Sequence, residues 1–188
     1  MTAHEEPGRW SDGVLPPNVR LGNNSIITGP TALKRIRSRR DDAVIIGDHC
    51  TLDNPQLSLG EQARLIIGDY SIISGAVLMA EQEIRIGRYV AIGWNAAIAD
   101  SDFHPIDPAL RQQDVIACSM LGKGLQRPPV QHRPVVIEDD VWIGPCATIL
   151  KGVRVGVGAI LEPGALVTRD VPPRQRVAGN PARVVGEV

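Results

Sequence analysis

Aliphatic residues recur at every sixth position along two stretches of this chain, and this spacing strongly limits the folds open to it. The first stretch covers residues 67–98, with one extra residue after position 79, and the second covers residues 137–167. A period of six matches neither the strand period of two nor the helical period of 3.6. It is typical of a solenoid in which each six-residue unit forms one flat side of a coil, and it predicts an all-β fold, a parallel β-helix. The aliphatic positions are Ile67, Ile73, Met79, Ile86, Ile92, Ile98, Ile137, Ile143, Ile149, Val155, Leu161 and Val167.

A compact residue lies four positions after most of the aliphatic residues. The residue immediately after the aliphatic one is often small, as at Gly144 and Gly156. We expect the compact residue where the chain bends, and glycine where a β-carbon would crowd the corner. Glu83 and Asp102 break this column, and local rules fail most often at strained or functional sites. We interpret Glu83 as a bulge. The compact positions are Ser71, Val77, Val90, Ala96, Val141, Ala147, Val153, Ala159, Ala165 and Val171.

The length of 188 residues suits one domain. Aromatic residues make up only 3% of the chain although 43% is hydrophobic, as expected for a narrow prism packed by Ile, Leu and Val. We expect the early residues to cap one end of the prism and the tail to cover part of the other. The predicted parts are an N-terminal extension over residues 1–18, coils over 19–103, an inserted loop over 104–134, coils over 135–172 and a C-terminal tail over 173–188.

Charge and composition exclude several classes of protein. The net charge of −1 gives no general attraction for nucleic acid, and no apolar run has the length of a transmembrane segment. The N-terminus lacks the apolar core of a secretion signal. The three cysteines, Cys50, Cys118 and Cys146, have no metal-binding spacing and predict a reduced, cytoplasmic protein. We interpret the basic run over residues 34–40 as a solvated face.

The six-residue frame stops at Asp102, and the segment over residues 104–134, rich in proline and glycine, follows. Segments of this length without a pattern are usually functional or disordered. His104 lies at this junction, which makes it the candidate catalytic residue. The spacing of His49, His104 and His132 does not form a recognisable ligand set, so no metal site is predicted.

Two segments carry a resemblance to a known family. The run Val136–Gly144 (VIEDDVWIG), with the endings Val167–Pro173 (VTRDVPP) and Ala178–Val184 (AGNPARV), resembles motifs of the hexapeptide-repeat acyltransferase superfamily. The match is greatest to its maltose, galactoside and polysaccharide O-acetyltransferases, and it covers residues 67–104 and 135–185. It implies left-handed coils and acetyl-CoA-dependent transfer of an acyl group to a hydroxyl of a sugar or glycan, without a metal. A homotrimer is the natural closed assembly for a triangular prism.

The resemblance also implies roles for individual residues. His104, followed by Pro105, matches the catalytic histidine of the family, which acts as general base on the acceptor hydroxyl. Histidine suits this role because its unperturbed pKa lies close to neutral pH. Strand alternation places Asp102 on the same side as His104, where its carboxylate could orient the imidazole.

Cofactor and acceptor contacts are assigned by the same resemblance. The tail is locally basic, and guanidinium groups bind phosphates such as those of CoA. Proline at positions 145 and 163 removes a backbone N–H donor. Ile73 stands where relatives have asparagine, which speaks against a maltose-like or galactoside-like acceptor. The implied cofactor residues are Trp142, Pro145, Pro163, Thr168, Arg169 and Arg183, and the implied acceptor residues are Ser71, Glu81 and Asn95.

Three other functions stay open at this point. The first is an N-acetyltransferase of an amino sugar or a xenobiotic. The second is a non-catalytic β-helical scaffold, against which His104 and the basic tail argue. The third is a metal-dependent enzyme resembling γ-carbonic anhydrases, which the histidine spacing opposes.

Overall fold

The computed structural model describes residues 6–122 and 124–188, apart from the side chain of Leu121, and consists mainly of short strands. Before the inserted segment the strands are β1 Arg9–Trp10, β2 Val19–Leu21, β3 Ile26–Ile27, β4 Arg35–Ile36, β5 Val44–Ile46, β6 Thr51–Asp53, β7 Gln56–Leu59, β8 Arg64–Ile67, β9 Ile72–Ser74, β10 Val77–Ala80, β11 Glu83–Ile86, β12 Ala91–Ile92 and β13 Ala97–Ala99. The helix α1 Pro108–Cys118 and a 3₁₀ helix, Met120–Gly122, come next. The later strands are β14 Val135–Ile137, β15 Trp142–Ile143, β16 Thr148–Ile149, β17 Arg154–Val155, β18 Ile160–Leu161, β19 Leu166–Val167, β20 Gln175–Ala178 and β21 Arg183–Glu187.

Successive strands pass from one sheet to the next, so that the chain winds around three sides of a prism. Side one has the order β1-β3-β6-β9-β12-β15-β18-β20-β21, side two β4-β7-β10-β13-β16-β19, and side three β2-β5-β8-β11-β14-β17. All neighbouring strands are parallel except β20 and β21. The predicted parallel β-helix is therefore confirmed, and its left-handed winding stays an inference from the resemblance.

The aliphatic positions stack in columns along the prism axis. Ile86 lies in register with Ile137, and Ile137 with Val155, and all three side chains are buried. Burial of such a side chain contributes about 1.5–3 kcal/mol. Since each coil adds one member to every column, the six-residue period is the sequence record of this packing.

One stretch of the predicted frame is wrong by a residue. Leu78, rather than Met79, lies in register with Ile98 and is fully buried, while Met79 points outward. Likewise Ala76 and not Val77 fills the compact position, and Ile84 is the buried residue next to Glu83. The reason is that the next buried position after Ile73 comes five residues later, at Leu78, instead of six. The additional residues of this coil therefore lie in the turn after Leu78.

That longer turn is held by a buried carboxylate from the next coil. Asp100 is fully buried and accepts backbone hydrogen bonds from Glu81 at 2.7 Å, Gln82 at 2.7 Å and Glu83 at 2.8 Å. Burial raises the pKa of Asp100, and the three N–H donors oppose that rise. The bulge predicted at Glu83 is therefore a clamped turn, and it carries Glu81 toward the start of the inserted segment.

Glycine at the corners allows consecutive coils to approach closely. A β-carbon on Gly144 would lie 2.6 Å from the backbone nitrogen of Pro163, and one on Gly156 would lie 2.5 Å from that of Pro173. Neither contact can be relieved by moving a flexible side chain. The crowding expected from the sequence is thus confirmed at these corners.

We expect Gly144→Ala to lower the free energy of unfolding by about 1–3 kcal/mol, because the new methyl group forces two coils apart. Urea unfolding measures this change. Gly186→Ala is the matched control, since a β-carbon there meets nothing within 4 Å. Equal effects of the two substitutions would show that coil spacing does not constrain residue 144.

Both ends of the prism are extended by terminal segments. The strand β1 lies beside β3, and the indole Nε1 of Trp10 donates to the carbonyl of Gly29 at 3.1 Å. Part of the segment predicted as an extension is therefore ordered on side one, and residues 1–5 of that prediction lie outside the described residues. At the opposite end β20 adds to side one, and β21 turns back against it.

The sequence predicts a loop over the whole inserted segment, but part of the segment forms the helix α1. The Asp107 side chain accepts from the backbone N–H of Leu110 at 2.9 Å, and Pro108 occupies the first turn. Proline is favourable there, since its missing N–H would have no partner in a helix. The segment returns to the prism through a bridge between Ser101 and His132. Within the described ranges, no helix has the length and apolarity to cross a membrane.

Candidate active site

His104 lies just after β13, where the chain leaves the prism. Phe103 has φ of 64°, and the backbone N–H of His104 donates to the carbonyl of Asp102 at 2.7 Å. This tight turn directs the imidazole into a cavity of about 220 Å³ on the outer face of side two. Half of the His104 side chain is exposed, so that a second molecule can reach it.

A buried carboxylate from α1 contacts the imidazole. Nδ1 of His104 lies 2.5 Å from Oδ2 of Asp114, whose side chain has no exposed surface. Arg127 donates to Asp114 from Nε at 2.7 Å and from Nη2 at 3.2 Å, and Nη2 also donates to the carbonyl of Phe103 at 2.9 Å. The segments that carry His104 and Arg127 therefore converge on one carboxylate of α1.

The charges in this network support one another. The hydrogen bonds from Arg127 hold the pKa of Asp114 below its ordinary value, against the effect of burial and with a smaller contribution from His104. The same contact raises the pKa of Arg127. An ionised Asp114 can only accept, so Nδ1 of His104 carries the proton and Nε2 keeps a free lone pair. That tautomer is the one a general base requires.

Asp102 does not contact the imidazole, contrary to the sequence prediction. Its carboxylate pairs with Nζ of Lys151, and its Oδ2 is buried without a hydrogen-bond partner. The physical reason is the left-handed turn at Phe103, which ends the strand alternation on which the prediction depended. Asp102 therefore bears on His104 through its backbone carbonyl.

Three cavities adjoin along the outer face of side two. The cavity at His104 shares Arg37, Glu81 and Arg127 with one of about 610 Å³ under the inserted segment. It shares Ser58 and Met79 with one of about 290 Å³ beside the first coils. The result is a groove with His104 near its middle.

The three predicted acceptor residues are not brought together. Glu81 lines the groove next to His104. Ser71 is fully buried, because its hydroxyl donates to the carbonyl of Gly87 and accepts from the N–H of Val90 inside the coil wall. Asn95 is exposed at the corner between sides one and two and is not part of this groove.

The predicted cofactor residues fall into two groups. Thr168, Arg169 and Arg183 line a cavity of about 160 Å³ at the C-terminal end of the prism. Their side chains are exposed, and Arg183 donates from Nη1 to the carbonyl of Ala182 at 2.8 Å. The lining also includes the carboxylate of Asp170, so the cavity keeps a net positive charge from its two guanidinium groups, which can bind the phosphates of a nucleotide cofactor.

The second group lies away from that cavity. Trp142 is half exposed on side one, in register with Ile160. Pro145 and Pro163 occupy one corner of consecutive coils, and the carbonyl of Pro145 accepts from the N–H of Gly164 at 2.9 Å. That carbonyl is therefore already used in coil stacking.

Asp114, Arg127 and Cys118 are site residues that the sequence reasoning missed. Cys118 lines the His104 cavity, with its Sγ 3.9 Å from Oδ1 of Asp114. One signal was present, since Asp107 followed by proline is a typical helix start. A helix after residue 107 would have placed residue 114 on a rigid element close to His104.

The histidines are dispersed rather than clustered. The His49 ring stacks on Tyr70, with ring centroids 4.7 Å apart, and Nδ1 of His132 lies 3.0 Å from Oε1 of Gln82. Across residues 6–122 and 124–188, no three His, Cys, Asp or Glu side chains are grouped so that they could hold a metal ion.

Comparison with known proteins gives a family match and short matches to curated proteins. The model of the bacterial transferase hexapeptide, with six repeats, matches residues 134–169. A 2,3,4,5-tetrahydropyridine-2,6-dicarboxylate N-acetyltransferase of Staphylococcus aureus (strain JH9) is 58% identical over 62 residues, which cover 33% of this chain and 26% of that protein. The chain thus spans about a quarter of the length of the curated relatives it matches.

Two solved structures extend the likeness. A hexapeptide-repeat acetyltransferase of Vibrio cholerae O1 biovar eltor, in complex with acetyl coenzyme A, has a TM-score of 0.54 and 32% identity over 65% of this chain and 60% of that one. A galactoside acetyltransferase in complex with coenzyme A has a TM-score of 0.53 and 25% identity over 65% and 55%.

Fold and repeat together define the class, a parallel β-helix built from hexapeptide coils. The chain carries the hexapeptide repeat of bacterial transferases, and the resemblance to the hexapeptide-repeat acyltransferases drawn from its sequence is confirmed.

Proposed function

We propose that this protein is an acetyl-CoA-dependent O-acetyltransferase that acts on a hydroxyl of a sugar or glycan, with His104 as general base. The observation that carries the proposal is the contact of 2.5 Å between His104 and the buried, ionised Asp114, beside an open groove. The relatives named above, which are acetyltransferases, support the same reaction class.

The chemistry follows from the free lone pair on Nε2 of His104. This atom takes the proton of the acceptor hydroxyl while the hydroxyl oxygen attacks the thioester carbonyl. A C–O bond forms, the C–S bond breaks, and the proton passes to the thiolate that leaves. Asp114 stabilises the imidazolium formed in between, and such base assistance typically contributes about 10²–10⁴-fold.

Acetyl-CoA supplies the acyl group, and the C-terminal cavity fits its phosphates. Thr168 provides a hydroxyl there, and Arg169 and Arg183 provide exposed guanidinium groups. We assign Trp142, Pro145 and Pro163 to the same cofactor as surface contacts along the coil corner. No step of the reaction depends on these residues.

Arg183→Ala is expected to raise KM for acetyl-CoA by about five- to tenfold with little change in kcat, since a charge-assisted phosphate contact is lost. Steady-state kinetics at saturating acceptor measure both constants. Arg20→Ala is the control, because Arg20 is exposed on side three, away from the cavity. An unchanged KM in the Arg183 variant would count against the cofactor assignment.

A second candidate function is N-acetylation, favoured by the 62-residue match to an N-acetyltransferase. The same base serves an amine acceptor once the amine is neutral. Matched acceptors, glucose and glucosamine, separate the two, because an acetyl ester is cleaved by mild alkali and an acetamide is not. An alkali-stable product from glucosamine alone would establish N-acetylation.

Release of CoA in the presence of a panel of sugars and amino sugars, with calorimetry for CoA binding, tests the enzyme function itself. If the wild type neither binds CoA nor releases it with any acceptor, the proposed enzymatic function is refuted. The non-catalytic β-helical scaffold then stays as the interpretation.

We also propose a homotrimer located in the cytoplasm. Cys50, Cys118 and Cys146 are all free thiols, as a reducing compartment favours. Light scattering coupled to gel filtration measures the assembly, and a monomer at micromolar concentration would contradict the trimer.

A further inference from the structure

The basic run over residues 34–40 divides into paired and unpaired side chains. Arg37, Arg39 and Arg40 each lie within 4 Å of a carboxylate. For Lys34 and Arg35, in contrast, no carboxylate of the described residues lies at ion-pair distance. Both side chains are exposed, as predicted for a solvated face, and they are two adjacent cations without a counter-charge in the described part of the chain.

These two cations face a cavity instead of open solvent alone. Lys34 and Arg35 line the cavity of about 290 Å³ on side two, together with the polar residues Thr31, Gln56 and Ser58. No acidic residue belongs to that lining. The cavity therefore combines two cations with three uncharged polar side chains, and its remaining lining is apolar.

The same cavity opens onto the candidate active site. Ser58 and Met79 line both this cavity and the one that holds His104. Arg35 lies in register with Ser58, and Ser58 with Met79. Neighbouring strands are about 4.8 Å apart, so the backbone of Arg35 lies about 10 Å from that of Met79.

We propose that the acceptor carries an anionic group, a carboxylate or a phosphate, that binds at Lys34 and Arg35 while its reacting hydroxyl lies at His104. This inference rests on the proposed function and names the chemical class of its acceptor. Guanidinium and ammonium groups bind such anions through charge-assisted hydrogen bonds. The backbone of Arg35 lies about 10 Å from that of Met79, which lines the His104 cavity, so the groove has room for an acidic saccharide of two or more units, with Thr31, Gln56 and Ser58 contacting its neutral hydroxyls.

Calorimetry with three related probes, maltose, maltobionate and maltose 1-phosphate, tests the proposal. They are a neutral disaccharide, its aldonate with a carboxylate on the opened second unit, and its phosphate ester, so the comparison also distinguishes the two anions. Wild type is compared with Lys34→Gln/Arg35→Gln and with the control Arg20→Gln, which removes a cation from side three. We expect at least one acidic probe to bind wild type and Arg20→Gln roughly tenfold more tightly than maltose, and the double variant to lose this preference.

The preference should also weaken as salt rises, because it depends on exposed charges. Equal binding of the three probes to wild type, including no binding by any, would overturn the proposal. So would a preference that survives in the double variant. Binding of CoA and release of CoA with neutral acceptors report on the proposed function separately, and they stay intact if only the anionic acceptor is wrong.

Discussion

Replacing His104 by alanine is expected to lower kcat for acetyl transfer by about 10²–10⁴-fold, the usual contribution of a positioned general base. KM for acetyl-CoA should change little, because the proposed cofactor cavity is lined by residues 167–172 and by the tail rather than by the inserted segment. Release of CoA under saturating acetyl-CoA measures the loss.

A second variant separates chemistry from folding. His104→Gln keeps an amide that can donate to Asp114 but offers no basic nitrogen, so kcat should fall as far as in the alanine variant while stability stays closer to wild type. The half-exposed site should also admit free imidazole, which should partly restore the activity of His104→Ala. An alanine variant within tenfold of wild type would remove His104 from the reaction.

The period of six was sufficient to predict the fold because it reports directly on stacking. Ile86, Ile137 and Val155 form one column, and each is buried for the same reason. The prediction failed where the coil length changes, since a spacing rule cannot show that residues 81–83 are clamped by Asp100. Leu78 and Met79 are both apolar, so composition could not choose between them.

The candidate site was predictable only in part. His104 stands where the repeat ends, and this position alone marked it. Asp114 and Arg127 lie ten and 23 residues further on, in a segment without a period. Asp114 contacts His104 because α1 places it there, and Arg127 contacts Asp114. Such convergence is set by tertiary packing, which no local pattern records.

Asp114→Asn is expected to reduce kcat by about 10²–10⁴-fold, because it reverses the imidazole tautomer, as loss of the carboxylate does in other histidine–carboxylate pairs. Arg127 donates to both oxygens of Asp114. An asparagine has only one oxygen, which accepts the hydrogen bonds from Arg127. The NH₂ group of the asparagine therefore faces Nδ1 of His104. The imidazole then carries its proton on Nε2 and can no longer act as a base there.

Nitrogen NMR of His104 measures this change directly. We expect a proton on Nδ1 in wild type and on Nε2 in Asp114→Asn. Asp102→Asn is the matched control, since Asp102 pairs with Lys151 and should leave the tautomer as in wild type. If the tautomer changes in Asp102→Asn and not in Asp114→Asn, Asp102 would be the partner of His104, as predicted from the sequence.

The same substitution has a pH signature in stability. Arg127 holds the pKa of Asp114 below its ordinary value, so the folded state favours the ionised carboxylate. The contribution of the ionised Asp114 to the free energy of unfolding is complete above the carboxyl pKa of the unfolded chain, about 3.9. It is lost as pH falls through the lower pKa that Asp114 has in the folded state. At neutral pH, Asp114→Asn should lower the free energy of unfolding by about 1–3 kcal/mol, because Arg127 loses its ionic partner. Urea unfolding at a series of pH values should show this gap narrowing below about pH 4, where the Asp114 carboxylate of the unfolded chain begins to protonate while that of the folded protein is still ionised. A gap that stays constant through the acid range would mean that the charge of Asp114 does not stabilise the fold.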